Sequence, residues 1–174
     1  MANVDQLADA LERAGRLIAG VRDDQWHNPT PCTEWDVRAV ADHLTKGNAL
    51  FARALGAGEV APDDYREVSA ALLEAFRKPG AIDGTVTVPF GTVPGEFALH
   101  LRLTELLMHG WDIARATGQK TDFPGDLVEQ EIQFGQRALG MIPPDRSPFK
   151  PPQPAPDDAP AIDRLAALLG RDIR

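Results

Sequence analysis

The sequence has a single cysteine, Cys32, and no long apolar run. One cysteine excludes a disulfide within the chain and is typical of a protein in a reducing compartment. No apolar stretch approaches the roughly 18 residues that a membrane-spanning helix needs. The N-terminal stretch MANVDQLADALERAGRL is acidic and amphipathic, which does not match a secretory signal. We therefore expect a cytoplasmic protein with no membrane partner.

Positive charge is also scarce. The 18 lysine and arginine residues face 26 acidic ones, which leaves a net charge of −8 with neutral histidines. An acidic surface repels phosphate backbones, so we expect no nucleic-acid partner. The charge identifies no cationic partner either, because a charged, solvated surface is the ordinary state of a soluble protein.

The length of 174 residues and the hydrophobic content of 43% fit one domain that spans residues 1–174. A domain of this size buries roughly 70% of its unfolded surface, so it needs no disulfide or metal merely to fold. Any metal site in the chain therefore calls for a functional explanation.

Apolar residues recur at three- and four-residue spacing through most of the chain, which is the pattern of amphipathic helices. Thr33, followed by Asp36, is the predicted N-cap of the second helix. The fold class that follows is all-α: an antiparallel four-helix bundle with short extra helices toward the C-terminus. The predicted helices span residues 3–21, 34–55, 63–77, 95–117, 125–139 and 161–169.

Two segments break the helical pattern. TVTVPFGTVPG alternates valine with threonine before prolines and glycines interrupt it, and it predicts a short extended excursion too small to make a sheet. Residues 141–160 contain too many prolines for a helix or a sheet. We expect an extended strap across the bundle there, with a disordered linker as the alternative.

The segment FALHLRLTELLMHGWDIARATG contains the most informative pair of residues. Glu105 and His109 are four residues apart and so share one face of a helix. Because a buried unpaired charge is costly, the pair is either an ion pair or part of a shared metal site. His43 lies on the inward stripe of the second helix, so the three side chains could converge in the core, where bundles build their metal sites.

Two histidines and one carboxylate leave coordination positions for water or substrate, as in catalytic sites. Zinc suits these ligands best, and nickel or iron are alternatives. His100 lies about 180° around the helix from His109 and is expected to face solvent or another helix. His27 and Cys32 are predicted to be structural.

Three further residues flank the predicted metal ligands. Trp35 and Trp111 are expected in the core or in a pocket wall, and Trp111 could line the metal site. Asp112 could orient a ligand histidine or could instead pair with Arg115.

The motifs TPCTEWDVRAVADHL and ELLMHGWDIARATGQ, with the tail DDAPAIDRLAALLGRD, resemble the DinB-like superfamily. Within it, they are similar to single-domain proteins related to the N-terminal domain of mycothiol-dependent maleylpyruvate isomerase. The resemblance implies an antiparallel four-helix bundle with a metal held by His43, Glu105 and His109. Relatives often have a third histidine at the position of Glu105, so the glutamate indicates the isomerase-like branch.

The resemblance implies an enzyme that uses a divalent metal and a low-molecular-weight thiol, such as mycothiol, as a transferase or isomerase on a small electrophilic substrate. The isomerase has an additional C-terminal domain that this sequence lacks, so its specific reaction is not transferred. Two alternatives stay open: a non-catalytic module that binds a metal or small molecule or dimerises, and a buried ion pair without metal. A homodimer is expected because twofold symmetry is common.

Overall fold

The computed structural model describes residues 1–61, 63–141 and 149–174. The described part is mostly helical, with a small two-stranded sheet. Its α-helices are α1 (Val4–Ala19), α2 (Val37–Ala54), α3 (Tyr65–Arg77), α4 (Gly95–Thr117), α5 (Gly125–Met141) and α6 (Ala161–Leu168), and its strands are β1 (Thr85–Val88) and β2 (Gly91–Pro94). A single 3₁₀ turn at Asp23–Gln25 follows α1. No helix of the described residues is long and apolar enough to cross a bilayer.

The starts of α1, α2 and α3 are set by side chains that accept hydrogen bonds from backbone N–H groups, because the first turn of a helix leaves those donors unpaired. Asn3 caps α1 and forms a reciprocal pair with Gln6. Asp64 caps α3 by accepting from the backbone N–H of Glu67 at 3.0 Å. The predicted ranges of α1, α3, α5 and α6 agree with the structure to within two residues at each end, and the range predicted for α4 is the observed one.

The prediction for the start of α2 was wrong. Its N-cap is Asp36, which accepts from the backbone N–H of Ala39 at 2.8 Å, and Thr33 lies outside the helix. The chain before Asp36 forms its own turn, since the Thr30 hydroxyl donates to the backbone oxygen of Trp35 and Pro29 bridges to Asp36. Trp35 therefore sits in a loop rather than in the first turn of the helix.

The prediction of no sheet was also wrong. β1 and β2 pair as an antiparallel hairpin in which Val86 lies opposite Val93. A two-stranded hairpin is marginal alone, but this one packs on α2 and α4. Val86 and Val88 bury their side chains there. Packing against α2 and α4 therefore stabilises a hairpin that the local sequence pattern did not predict.

Helix α4 occupies the centre of the molecule. It contacts α1, α2, α5, α6 and both strands, and it is buried along almost its whole length. A helix that is apolar on every side is a core helix. In addition, α2 packs against α3, and α1 against α3. Most polar side chains on α4 therefore lie in the interior, where they need partners.

The C-terminal segment returns to this core. α6 packs against α5 and α4, and the Trp111 indole N–H donates to Asp163 at 2.7 Å. Residues 142–148 of the predicted strap lie outside the described residues. Residues 149–160 contain no helix or strand, and Lys150 donates to the Thr33 hydroxyl at 2.7 Å. The strap remains a prediction.

Candidate functional site

The structure brings His43, Glu105 and His109 together between α2 and α4. His43 Nε2 lies 2.6 Å from Glu105 Oε2, and His109 Nε2 lies 3.4 Å from the same oxygen. One donor atom from each of the three residues lies within 4.8 Å of the others. The convergence that the spacing and the resemblance predicted is present in the geometry.

Asp112 fixes the orientation of His109. The two residues share a hydrogen bond of 2.9 Å between Nδ1 and Oδ2. Because a carboxylate only accepts, Nδ1 carries the proton and Nε2 faces Glu105. A neutral His109 would then place its lone pair against a carboxylate oxygen. Either a proton or a cation has to lie between the two groups.

The charges of the site are strongly coupled. Burial alone raises the pKa of the Glu105 carboxyl, but hydrogen bonds from His109 and His43 outweigh it and hold that pKa well below its usual value. Burial alone would lower the pKa of His109. Hydrogen bonds to Asp112 and Glu105 have the opposite and larger effect, so the pKa lies above its usual value. Both shifts favour the pairing of a protonated His109 with an ionised Glu105.

Arg171 holds the orienting carboxylate from the C-terminal segment. Its Nη2 lies 2.8 Å from Asp112 Oδ2 and its Nε lies 3.2 Å from Oδ1, a two-pronged ion pair. Asp112 is fully buried and Arg171 nearly so. Of the two roles predicted for Asp112, orienting a histidine is the observed one, since Arg115 donates instead to the backbone of Ile173. Sequence reasoning missed Arg171 because nothing local links position 171 to position 112.

Trp35 forms one wall of the site. Its ring centroid lies 4.6 Å from that of His43 and 5.7 Å from that of His109. Trp111 does not contact the three residues in this way, since its indole faces α6 and the guanidinium of Arg115. Trp35 therefore forms the predicted aromatic wall. The prediction that Trp111 could line the proposed metal site was not met.

The site opens to solvent on the side of His43. The side chains of His43 and Glu105 are 37% and 22% exposed, whereas that of His109 is only 6% exposed. A small molecule can therefore approach from the His43 side, while His109 is anchored in the interior.

The donor set fits a divalent metal. Ligands about 2.0–2.2 Å from a tetrahedral ion lie about 3.4 Å apart, which equals the 3.4 Å between His109 Nε2 and the Glu105 oxygen. The 2.6 Å contact of His43 is shorter and is a hydrogen bond. Ion binding would require His43 and Glu105 to separate slightly at the exposed edge of the site.

The remaining candidates lie elsewhere. His27 is exposed and pairs with Asp36 at 3.0 Å. Cys32 is partly buried, and burial raises the pKa of its thiol. His100 is buried against α5 and shares a hydrogen bond with Glu131, so of the two expectations for it the contact with another helix is confirmed and the exposure to solvent was wrong.

Arg102 is a second residue that the sequence did not reveal. It lies one turn before Glu105, is 3% exposed and donates to Asn48 Oδ1 at 2.9 Å. Its Nε is the one buried side-chain nitrogen or oxygen without a hydrogen-bond partner among the described residues. The absence of a side chain at Gly47 makes room for the guanidinium, since a Cβ there would lie 2.7 Å from Nη1.

Replacing Gly47 by alanine is expected to destabilise the fold by about 1–3 kcal/mol, because the buried guanidinium would have to move away from Asn48. Urea unfolding measures the change. Gly125→Ala is the matched control, since a Cβ at Gly125 meets open space, and we expect no loss of stability there. Equal stability of the Gly47 and Gly125 variants would contradict this account of Arg102.

The features that characterise this class of protein are a mostly helical fold and two helices that bring two imidazoles and a carboxylate together at a partly exposed position. Residues 7–69 match the model of the mycothiol maleylpyruvate isomerase N-terminal domain. An uncharacterized protein of Mycobacterium tuberculosis, from strains CDC 1551 and ATCC 25618, is 36% identical over 176 residues, which is 95% of this chain and 95% of that protein. The chain belongs to the family of these mycobacterial proteins, and its residues 7–69 are similar to the N-terminal domain of the isomerase. The resemblance predicted from the motifs is confirmed.

A solved structure shares the fold. It is the crystal structure of a histidine-to-alanine mutant of mycothiol-dependent maleylpyruvate isomerase, with a TM-score of 0.52 and 17% sequence identity. The match covers 72% of this chain and 65% of that one. The chain therefore spans less than two thirds of the isomerase.

Proposed function

We propose that the chain binds one divalent metal through His43, Glu105 and His109 and uses it in a thiol-dependent reaction. The observation that carries this proposal is the position of His109 Nε2, which faces the Glu105 oxygen at 3.4 Å while Nδ1 is held by Asp112. A cation between the two groups removes the conflict between lone pair and carboxylate. Zinc suits two nitrogens and one oxygen best, with nickel or iron as alternatives.

The thiol would be mycothiol or a similar low-molecular-weight thiol, and the reaction a transfer or isomerisation of a small electrophilic substrate. A bound divalent ion lowers the pKa of a coordinating thiol, so that the reactive thiolate forms at neutral pH. His109 and Asp112 form the fixed side of the site, and Trp35 covers the two imidazoles. The exposed edge at His43 is where thiol and substrate would enter.

Three broader predictions accompany this function. The packing of α1 on α3 and α4, and of α2 on α3 and α4, supports an antiparallel four-helix bundle with an added hairpin and C-terminal segment. A cytoplasmic location and a homodimer remain predictions from the sequence. Size-exclusion chromatography with light scattering measures the oligomeric state.

The test of the function has two stages. The metal content of the purified protein is measured first, and it should approach one ion per chain after incubation with zinc, nickel or iron. Consumption of mycothiol in the presence of 1-chloro-2,4-dinitrobenzene is then followed, with cysteine and glutathione as comparison thiols. Stoichiometric metal without thiol consumption would favour the alternative of a non-catalytic binding module. Failure to load any of these metals would refute the proposal.

The contact of 2.6 Å between His43 and Glu105 favours a second candidate, an ion-paired site without metal. The two readings predict opposite responses to pH. Since the pKa of His109 is raised in the folded state above 6.5, its contribution to stability is complete below the unfolded pKa and is lost as pH rises through the folded pKa. Metal binding strengthens over the same range, because the proton on His109 has to leave.

The Tm of the chelator-treated protein should therefore fall as the pH rises above about 6.5, relative to that of His109→Gln, which lacks the titrating group. The zinc-loaded protein should not show this loss. The same decline with and without zinc would favour the metal-free ion pair.

A further inference from the structure

A second carboxylate–imidazole pair lies on the far side of α4 from the candidate metal site. His100 precedes His109 by nine residues, which turns it by roughly 180° around the helix. His100 Nδ1 lies 2.8 Å from Glu131 Oε1 on α5. Glu131 is fully buried and also accepts from the Thr104 hydroxyl at 2.9 Å and from Gln130 at 3.1 Å. None of these groups serves the proposed metal chemistry.

The second ring nitrogen of His100 faces a cavity. Because the Glu131 carboxylate accepts, Nδ1 carries the proton and Nε2 has a free lone pair. Nε2 has no hydrogen-bond partner among the described residues, yet it is not one of the buried unpaired atoms there. His100 lines a cavity of about 650 Å³, which brings its ring within reach of a ligand in that cavity.

The walls of this cavity combine aromatic and apolar side chains with the polar side chains of Glu96, Gln136 and Arg137. His100 stacks on Phe134 with ring centroids 4.5 Å apart and planes 7° apart. Phe97 meets Phe134 edge to face at 5.1 Å, and Pro94 and Met141 extend the apolar lining. The volume lies within the range of about 300–1,000 Å³ that small-molecule sites occupy.

A purely structural link between α4 and α5 does not require this arrangement. A glutamine at position 131 could join His100 and Thr104 without the cost of burying a charge. A buried carboxylate behind an imidazole fixes the tautomer and leaves the outer nitrogen as a hydrogen-bond acceptor, as in sites where histidine binds a ligand. The structure thus places an acceptor nitrogen and aromatic rings at one cavity.

We propose that this cavity is a second binding site, independent of the metal, for a small aromatic molecule with an acidic hydroxyl group. The hydroxyl donates to His100 Nε2, and the ring packs against Phe97 and Phe134. A phenol is the simplest member of this class. Toluene has nearly the same shape and lacks the hydroxyl, so comparing the two measures the contribution of the nitrogen.

Binding of phenol and toluene to the purified full chain is measured by NMR titration, with the ¹⁵N resonance of His100 Nε2 as the local probe. Phenol is expected to bind roughly tenfold more tightly than toluene, the effect of one hydrogen bond to a strong acceptor, and to shift the Nε2 resonance. Equal affinity for the two probes, or no binding of phenol at millimolar concentration, would overturn the proposal.

Two variants locate the site. Ala138→Phe places a large side chain in the cavity and leaves residues 100 and 131 unsubstituted, since Ala138 is part of the lining, and it should abolish phenol binding in a protein of normal stability. Glu131→Gln keeps the link between the helices and should reduce the preference for phenol over toluene. His27→Phe is the control for Ala138→Phe. It adds a phenyl ring at an exposed histidine that is not part of the cavity lining, and phenol binding should be normal there. Unchanged phenol binding in Ala138→Phe would place the ligand elsewhere and refute the assignment.

Discussion

Replacing His109 with alanine is expected to abolish stoichiometric metal binding. Among the three proposed ligands, His109 has the least exposed side chain, and its ring is fixed from behind by Asp112. Loss of a residue that only supports a ligand typically weakens metal binding by about 10- to 100-fold. Removal of the ligand itself should exceed that range. Equilibrium dialysis against zinc, with metal content measured by mass spectrometry, gives the change.

The matched control for His109→Ala is His27→Ala. His27 also pairs with a carboxylate, but its side chain is 86% exposed and lies outside the cluster. We expect normal zinc binding in that variant. Circular dichroism checks that both proteins are folded. If the His109 variant is folded and still binds one zinc ion with the affinity of the parent chain, then the ligand assignment is wrong.

Replacing Arg171 with alanine should have the largest effect on stability. The change leaves Asp112 fully buried without its guanidinium partner. Removing one partner of a buried ion pair typically costs about 3–5 kcal/mol, which corresponds to a fall in Tm of roughly 10 °C for a chain of this size. Zinc affinity should fall by about 10- to 100-fold as well, because Asp112 no longer holds His109 in one orientation.

Arg174→Ala is the control for this prediction. Arg174 forms the same type of pair with Asp172, but both side chains are exposed, at 88% and 57%. Exposed pairs contribute little, so neither Tm nor zinc affinity should change. Arg171→Lys keeps the charge without the two-pronged contact and should fall between the parent chain and Arg171→Ala. A Tm of Arg171→Ala equal to that of Arg174→Ala would show that Asp112 does not depend on Arg171.

The sequence was sufficient where local chemistry decides the structure. Helix α4 was predicted with its observed bounds because Pro94 precedes its first turn and Gly118 ends it with a positive φ. The Glu105 and His109 pair follows from the helical period. His43 could be added because its stripe on α2, which includes the buried Val40, was expected to face inward. These features depend on neighbours within a few residues along the chain.

The features that sequence reasoning missed depend on distant residues. Arg171 reaches Asp112 across 59 positions, and Arg102 reaches Asn48 across 54. The β1–β2 hairpin persists because α2 and α4 cover Val86 and Val88. The start of α2 shifted from Thr33 to Asp36 because the preceding segment forms a separate turn. Three of these features depend on tertiary contacts, and the start of α2 depends on a local turn that the capping pattern did not indicate.

The most direct test is a crystal of the zinc-treated protein measured at wavelengths on both sides of the zinc absorption edge. The account predicts a single strong anomalous peak bonded to Nε2 of His43, Nε2 of His109 and the Glu105 carboxylate, with space left for a further ligand on the exposed side. The contrary result is an anomalous map without that peak, with His43 and Glu105 still joined by a direct hydrogen bond.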